Sequence, residues 1–316
     1  WAIRIARLVT SRPKILVFAY SYHGSVDEAF AVPGPDGQAI SRKGNVAPPV
    51  PLHHTTRVCE FNDLAGLQRE LAHGDVAAVL LEPAMTNIGI VLPEPGFLDA
   101  VRDECDATGT LLMIDETHTI SMGGGGATRA WNLKPDIFVI GKSIGGGIPS
   151  GAYGLSADIA RRVGEFSDSG EADIVDVGGV GGTLAGNALS TAAMRATLTQ
   201  VLTDAAFEQM IALCDDYTAG VQAAIDAHGL PWSISQLGAR AEYRFTYPAP
   251  RTGSESAAAA DDDLDEFVHL WLLNRGVLIT PFHNMALMGP NTTAEQVAQH
   301  TELFAEMAAE LASGGR

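Results

Sequence analysis

Cysteine is scarce: Cys59, Cys105 and Cys214 are the three in 316 residues, widely spaced and without a CxxC pair. That excludes a disulfide framework and a cysteine zinc site, so the three read as buried, inert thiols in a reducing compartment. Long apolar runs are missing too, and no segment reaches the roughly 18 residues that a membrane-crossing helix needs. The chain does not open with a basic stretch followed by an apolar one, so a cytoplasmic protein with no membrane partner is expected. Positive charge is in short supply, with 20 Lys and Arg against 38 Asp and Glu and a formal net charge of −18. A field of that sign repels phosphate backbones, which removes nucleic acid from the expected partners. An initiator Met is also absent. Trp1, Ile3, Ile5, Leu8 and Val9 interleave with Arg4 and Arg7 as if a helix were already in progress, and a chain cut at its N-terminus is expected.

Apolar side chains make up 46% of the residues, enough for one large core or two smaller ones. Up to about residue 190, short apolar runs alternate with helical stretches. Lys14 to Ala19, Val76 to Leu81, Leu111 to Ile114, Asp136 to Ile140 and Ala152 to Leu155 read as buried strands, and Leu64 to Ala72 and Pro95 to Ala107 as helices covering them. That rhythm predicts an α/β fold with a mostly parallel central sheet. From Gly186 to about His228 the Ala-rich composition suits one or two long helices. A smaller α+β unit follows, with a strand pair around Trp232 to Tyr247, a helix from Leu264 to Asn274, a strand at Val277 to Thr280 and a last helix from Thr293 to Leu311. The expected division is therefore 1–190 and 191–316. The acidic run Asp261 to Asp263 reads as a solvated helix N-terminus, favoured by the helix dipole.

Ligands in open α/β sheets bind beyond the carboxyl ends of the strands, and three strand ends are polar. One closes on Glu82, one on Asp115-Glu116-Thr117-His118 and one on Gly141-Lys142. If these strands share a sheet, Glu82, Asp115 and Lys142 converge on one crevice. Gly141-Lys142-Ser143 matches the last triplet of a phosphate-binding P-loop, but Asp136 stands where that motif requires glycine. Lys142 then reads either as a lysine snorkelling to water or as an amine nucleophile activated by desolvation, and a paired Asp115 favours the second. Asp115, Glu116 and His118 alternate faces along an extended strand, so a shared metal ion is not expected. No GxGxxG opens a βαβ unit, which argues against a nicotinamide cofactor.

The run Leu111 to Thr119, the segment Lys134 to Gly147 and Gly182-Thr183-Leu184-Ala185-Gly186-Asn187 together resemble class III pyridoxal-phosphate-dependent aminotransferases. The closest branch resembles glutamate-1-semialdehyde aminomutase and the β-amino-acid aminotransferases. The resemblance implies PLP-dependent transferase fold type I, pyridoxal 5'-phosphate as cofactor and a homodimer with shared active sites. It implies transfer of an amino group from an amino acid, β-amino acids included, or an amine to a keto acid or aldehyde. Intramolecular transfer of the aminomutase kind, epimerisation and a non-catalytic truncated scaffold are the alternatives.

By the same resemblance Lys142 forms the Schiff base and Asp115 pairs with the pyridine nitrogen. Tyr22 stacks on the ring, with His23 beside it. Thr117 packs against the opposite face with His118 nearby. Glu82 and Asn87 lie near the cofactor hydroxyl, and Thr183 binds the phosphate across the dimer interface. The glycine-dense Gly178 to Thr183 would be ordered by that interface. The family's Ser/Gly/Thr-rich phosphate loop, which precedes the helix entered at Trp1, has no counterpart in this sequence. Arg244 is a candidate clamp for a substrate carboxylate, and Thr280 to Met285 is expected to border the pocket and to favour apolar or aromatic side chains.

Overall fold

The computed structural model describes residues 1–170 and 179–314. Its eleven strands in chain order are β1 (Lys14–Phe18), β2 (Ala31–Pro33), β3 (Ala39–Ser41), β4 (Thr56–Cys59), β5 (Val76–Leu81), β6 (Leu111–Asp115), β7 (Ile137–Gly141), β8 (Gly151–Leu155), β9 (Ser233–Leu237), β10 (Arg240–Arg244) and β11 (Met285–Leu287). Six of them form the main sheet in the order β4-β1-β5-β6-β7-β8. The first five are mutually parallel, and β8 closes the edge antiparallel to β7.

Strand alternation explains how this sheet is covered on both faces. Ile15, Val17, Ala78, Leu80, Met113 and Ile137 pack to one side with helices Ala2–Thr10 and Ala157–Ser169. Leu16, Phe18, Val79, Leu81, Leu112 and Ile114 pack to the other with helices Leu64–Leu71 and Phe97–Thr108. The latter helix begins two residues after Pro95, because Gly96 takes a left-handed conformation (φ 83°) that the helix cannot include.

A second sheet, β11-β10-β9, is antiparallel and belongs to a separate core. Tyr217, Trp271 and Phe304, on helices Asp204–His228, Asp262–Leu273 and Ala294–Ala312, lie in that core with Tyr243 of β10 and Trp232 just before β9. The acidic run sits as expected: Asp261 caps helix Asp262–Leu273, its carboxylate accepting from the Leu264 N–H. The Ala-rich stretch forms helix Ala188–Ala196, a π turn at Thr197–Val201 and helix Asp204–His228. Val277 to Thr280, expected as a strand, pairs with nothing in the second sheet; the strand beside β10 is Met285–Leu287 instead. Apolar residues in a row do not distinguish a strand from a loop packed on a core, and Ile279 is buried there without a ladder. Of the glycine-dense segment, Gly178 lies outside the described residues.

Where β1, β4 and β5 begin, one carboxylate ties three neighbouring strands. Asp75, just before β5, accepts from Arg57 Nε (2.5 Å) and Nη2 (2.8 Å) on β4 and lies 3.2 Å from Lys14 Nζ on β1. This bidentate pairing lowers the Asp75 pKa to about 2. A depressed carboxylate stabilises the fold above its unfolded pKa, about 3.9, and loses that contribution as pH falls through the folded value. Asp75→Asn is expected to destabilise the protein by about 1–2 kcal/mol at neutral pH, less than full linkage gives because the side chain is 28% exposed. Urea unfolding should show the gap between wild type and variant closing between about pH 4 and pH 2; a gap independent of pH contradicts the assignment.

Candidate active site

Because β5, β6 and β7 are adjacent and parallel, their carboxyl ends open on one edge of the sheet. Glu82 follows β5 directly, Asp115 is the last residue of β6, and Lys142 follows β7. The turn after β1 brings Tyr22, His23 and Gly24 to the same edge. All six line one cavity of about 290 Å³ together with Thr117, His118, Val139, Ile140 and Gly141. The expected convergence of the three strand ends is therefore what the fold produces.

Lys142 sits in a left-handed conformation (φ 51°), a conformation L-residues adopt only at some cost. The glycines after it hold that turn in place. A Cβ on Gly145 would stand 2.8 Å from Ser150 Oγ, and one on Gly146 2.5 Å from Thr197 Oγ1, so side chains there would push the turn off the π turn and off the approach to β8. The lysine's amine points back into the cavity, where Nζ meets His118 Nε2. Burial pulls the Lys142 pKa below the ordinary lysine value, and the Arg240 charge pulls the same way, against the opposing pull of Asp115 and Glu82.

A chain of hydrogen bonds fixes the neighbouring groups. Thr86 Oγ1 donates to Glu82 Oε2 (2.5 Å) and lies 2.5 Å from His118 Nδ1. The hydroxyl has a single proton, so His118 Nδ1–H is the donor to it, and His118 Nε2 is left to accept from Lys142 Nζ. Glu82, 3% exposed, also receives the Tyr22 N–H at 3.1 Å. Burial alone would raise its pKa, but the His118 ring beside it, the His23 charge and the Thr86 hydroxyl bring it below the usual carboxylate value.

Asp115 is held in the same way. Its Oδ2 is 2.9 Å from His23 Nδ1, and its Oδ1 accepts the Thr117 N–H at 3.0 Å. Its burial is outweighed by the His23 hydrogen bond and charge, so the carboxylate stays below its ordinary pKa. The other nitrogen of His23, Nε2, is buried with no partner among the described residues. Glu116 points away from the cavity, as strand alternation requires. It is fully buried and accepts from Thr119 Oγ1 and from the N–H groups of Ala127 and Thr128, bracing helix Gly126–Ala130. Among the described residues no group of His, Cys, Asp and Glu is arranged to hold a metal ion.

A second, larger cavity of about 530 Å³ adjoins the first and shares Thr117, His118 and Lys142 with it. Asn87 lies in its wall, outside the first cavity. Leu202, Phe207, Met210, Met285, Leu287 and Met288 make it largely apolar, and Thr280 and His283 come from the loop expected to border the pocket. Arg244 does not line it: its Nη2 donates to the Ser256 carbonyl and its Cδ lies 2.8 Å from where a Cβ on Gly89 would stand. The arginine that reaches this cavity is Arg240, four residues earlier on the same strand. Thr183 is exposed and lines neither cavity of this chain. Two contributors went unread in the sequence. Thr86 gave no signal beyond lying between Glu82 and Asn87, and Arg240 stood in a run of alternating polar residues that resembles a solvated strand face.

A family model for class-III aminotransferases matches residues 1–307. A glutamate-1-semialdehyde 2,1-aminomutase from Nitratidesulfovibrio vulgaris (strain Miyazaki F) is 34% identical over 283 residues, which is 89% of this chain and 64% of that protein. The chain therefore spans just under two thirds of that relative's length. The crystal structure of a glutamate-1-semialdehyde aminomutase from Pseudomonas aeruginosa PAO1 in complex with PMP superposes with a TM-score of 0.92 at 46% identity, covering 98% of this chain and 68% of that one. A β-phenylalanine aminotransferase from Variovorax paradoxus gives 0.79 at 25% identity over 99% and 67%. With that match along nearly its whole length and the mostly parallel sheet of fold type I beneath its site, this chain belongs to the class III aminotransferase family.

Proposed function

We propose that the two cavities form the active site of a pyridoxal-phosphate-dependent aminotransferase that moves an amino group between an amino acid or amine and a keto acid or aldehyde. The observation that carries this reading is the smaller cavity, where a partly desolvated lysine amine and a buried carboxylate held anionic face the same space. The residues fit the cofactor: Tyr22 offers an aromatic face, Asp115 an anion for a pyridinium, Lys142 a nucleophilic amine, and the orphaned His23 Nε2 marks a polar group awaiting a partner. When bound, the cofactor supplies the electron sink for the pair left on the donor carbon as it loses its proton.

The protein's own part is positional and electrostatic. Asp115, fixed by His23 and the Thr117 N–H, keeps a proton on the pyridine nitrogen. Lys142 Nζ, free of its proton at lower pH than an ordinary lysine, binds the cofactor and, once displaced by the donor amine, takes the proton from the amino-bearing carbon. His118 Nε2 holds the amine in reach through the hydrogen-bond chain to Glu82. The larger cavity would receive the rest of the substrate, and its apolar lining favours a donor with an apolar side chain. A glutamate-1-semialdehyde-type aminomutase would use the same groups around Lys142; the names of the relatives support that second reading, and the apolar lining does not.

Residues 1–190 are proposed as the cofactor-binding unit and 191–316 as the connecting helix and small unit. A second copy of the chain is the proposed partner. Helix Ala188–Ala196 buries none of its residues, while Leu184 and Leu189 are 77% and 67% exposed and Leu198 and Val201 lie bare on the π turn. Covering that face with an identical chain would bring Thr183 to the neighbouring site, where its hydroxyl would meet the cofactor phosphate.

Full-length protein loaded with pyridoxal phosphate should be converted to the pyridoxamine form by donors with apolar side chains. Asp115→Asn should cut turnover by at least about 100-fold with cofactor still bound, since a positioned charge is lost where it matters most; near-normal turnover would make Asp115 structural. Assembly has its own test, a mixed dimer of one Lys142→Ala chain and one Thr183→Ala chain. If sites are shared, one carries both lesions and the other neither, and half the activity should survive. A Thr183→Ala homodimer should bind the cofactor more weakly than wild type; undiminished binding there, or mixed-dimer activity near zero, would contradict shared sites.

A further inference from the structure

Along β10, Ala241 and Tyr243 face the small core, so Arg240, Glu242 and Arg244 face the other way, towards the main sheet. Arg240 is only 4% exposed, yet it lines the larger cavity with Lys142, and among the described residues it is the arginine that lines either cavity. Its commitments are few. Nη2 donates to the Thr86 carbonyl at 2.6 Å, and Nε is buried with no partner among the described residues. The nearest counter-charge, Glu242 Oε2, stands 3.9 Å from Nη2, beyond hydrogen-bond reach, and is itself unpartnered. Glu242 Oε1 is taken by His283 Nδ1 at 3.1 Å. A buried guanidinium with five donors, one of them used, bears a desolvation cost that an anion entering the cavity would offset.

We infer that Arg240 receives the carboxylate of the amino substrate, so that the site takes amino acids with a free carboxylate and an apolar side chain rather than simple amines. This rests on the aminotransferase reading above. The Thr86 carbonyl anchors one end of the fork, and Thr86 also carries the hydrogen bonds to Glu82 and His118. A carboxylate on Arg240 is thereby placed relative to Lys142 through one shared residue. Glu242 is a positioning residue: tied by His283, it attracts the guanidinium without closing a hydrogen bond on it. The apolar side chain of the substrate then packs against Phe207, Met210 and Leu202.

Two measurements on the full-length, cofactor-loaded protein test this. In the first, calorimetry compares 3-phenylpropanoate with the neutral 3-phenylpropanamide. Wild type should prefer the carboxylate by about 10- to 100-fold, the value of one or two charge-assisted hydrogen bonds. That preference should vanish in Arg240→Met and be partly kept in Arg240→Lys, which preserves the charge but not the fork. In the second, the ratio of kcat/KM for a β-amino acid to that for its decarboxylated amine should fall by the same factor in Arg240→Met. An unchanged preference and ratio in the variants, or equal losses on acid and neutral partner, would overturn the assignment. If wild type converts no donor at all, the aminotransferase reading fails, and the binding comparison still decides the role of Arg240.

Discussion

A partly desolvated lysine amine facing two buried carboxylates across one cavity is the constraint on which the site depends. Partial burial draws the Lys142 pKa below the ordinary lysine value, while Asp115 and Glu82 pull it the other way. The balance is possible because each carboxylate is already engaged. Asp115 is bound by His23 and the Thr117 N–H, and Glu82 by Thr86 and the Tyr22 N–H. Both remain anionic without closing on the amine, which meets the His118 ring instead.

The fold supplies this arrangement through the order of its strands. With β5, β6 and β7 side by side and parallel, the residues that end them arrive at one edge with no long loop to position them. At the opposite ends of the strands, the Asp75 cluster ties β1, β4 and β5 together where they begin. The small sheet closes the far wall, and its face towards the main sheet brings a second cation, Arg240, whose charge helps to depress the Lys142 pKa.

The central strands and the three polar strand ends were legible because a buried parallel strand is a continuous apolar run, and its ending is visible in the residue that breaks the run. Strand β4, Thr-Arg-Val-Cys, has no such run and escaped notice, as did the β2–β3 hairpin. The Val277 to Thr280 segment misled for the opposite reason, being apolar without a ladder partner. Arg240 and Arg244 lie on the same face of one strand, and the choice between them is made by distant contacts. Ser256 and Gly89 hold Arg244 away from the pocket, and Thr86 holds Arg240 in it. No local pattern in the sequence carries that information.

The central claim is that Lys142, and no other lysine, is the amine that engages the cofactor. Full-length protein incubated with pyridoxal phosphate, reduced with borohydride and digested should carry the pyridoxyl mass on the peptide containing Lys142, and Lys142→Ala should carry none. Label on Lys14, Lys43 or Lys134 in its place, or undiminished label in the Lys142→Ala protein, would contradict the account.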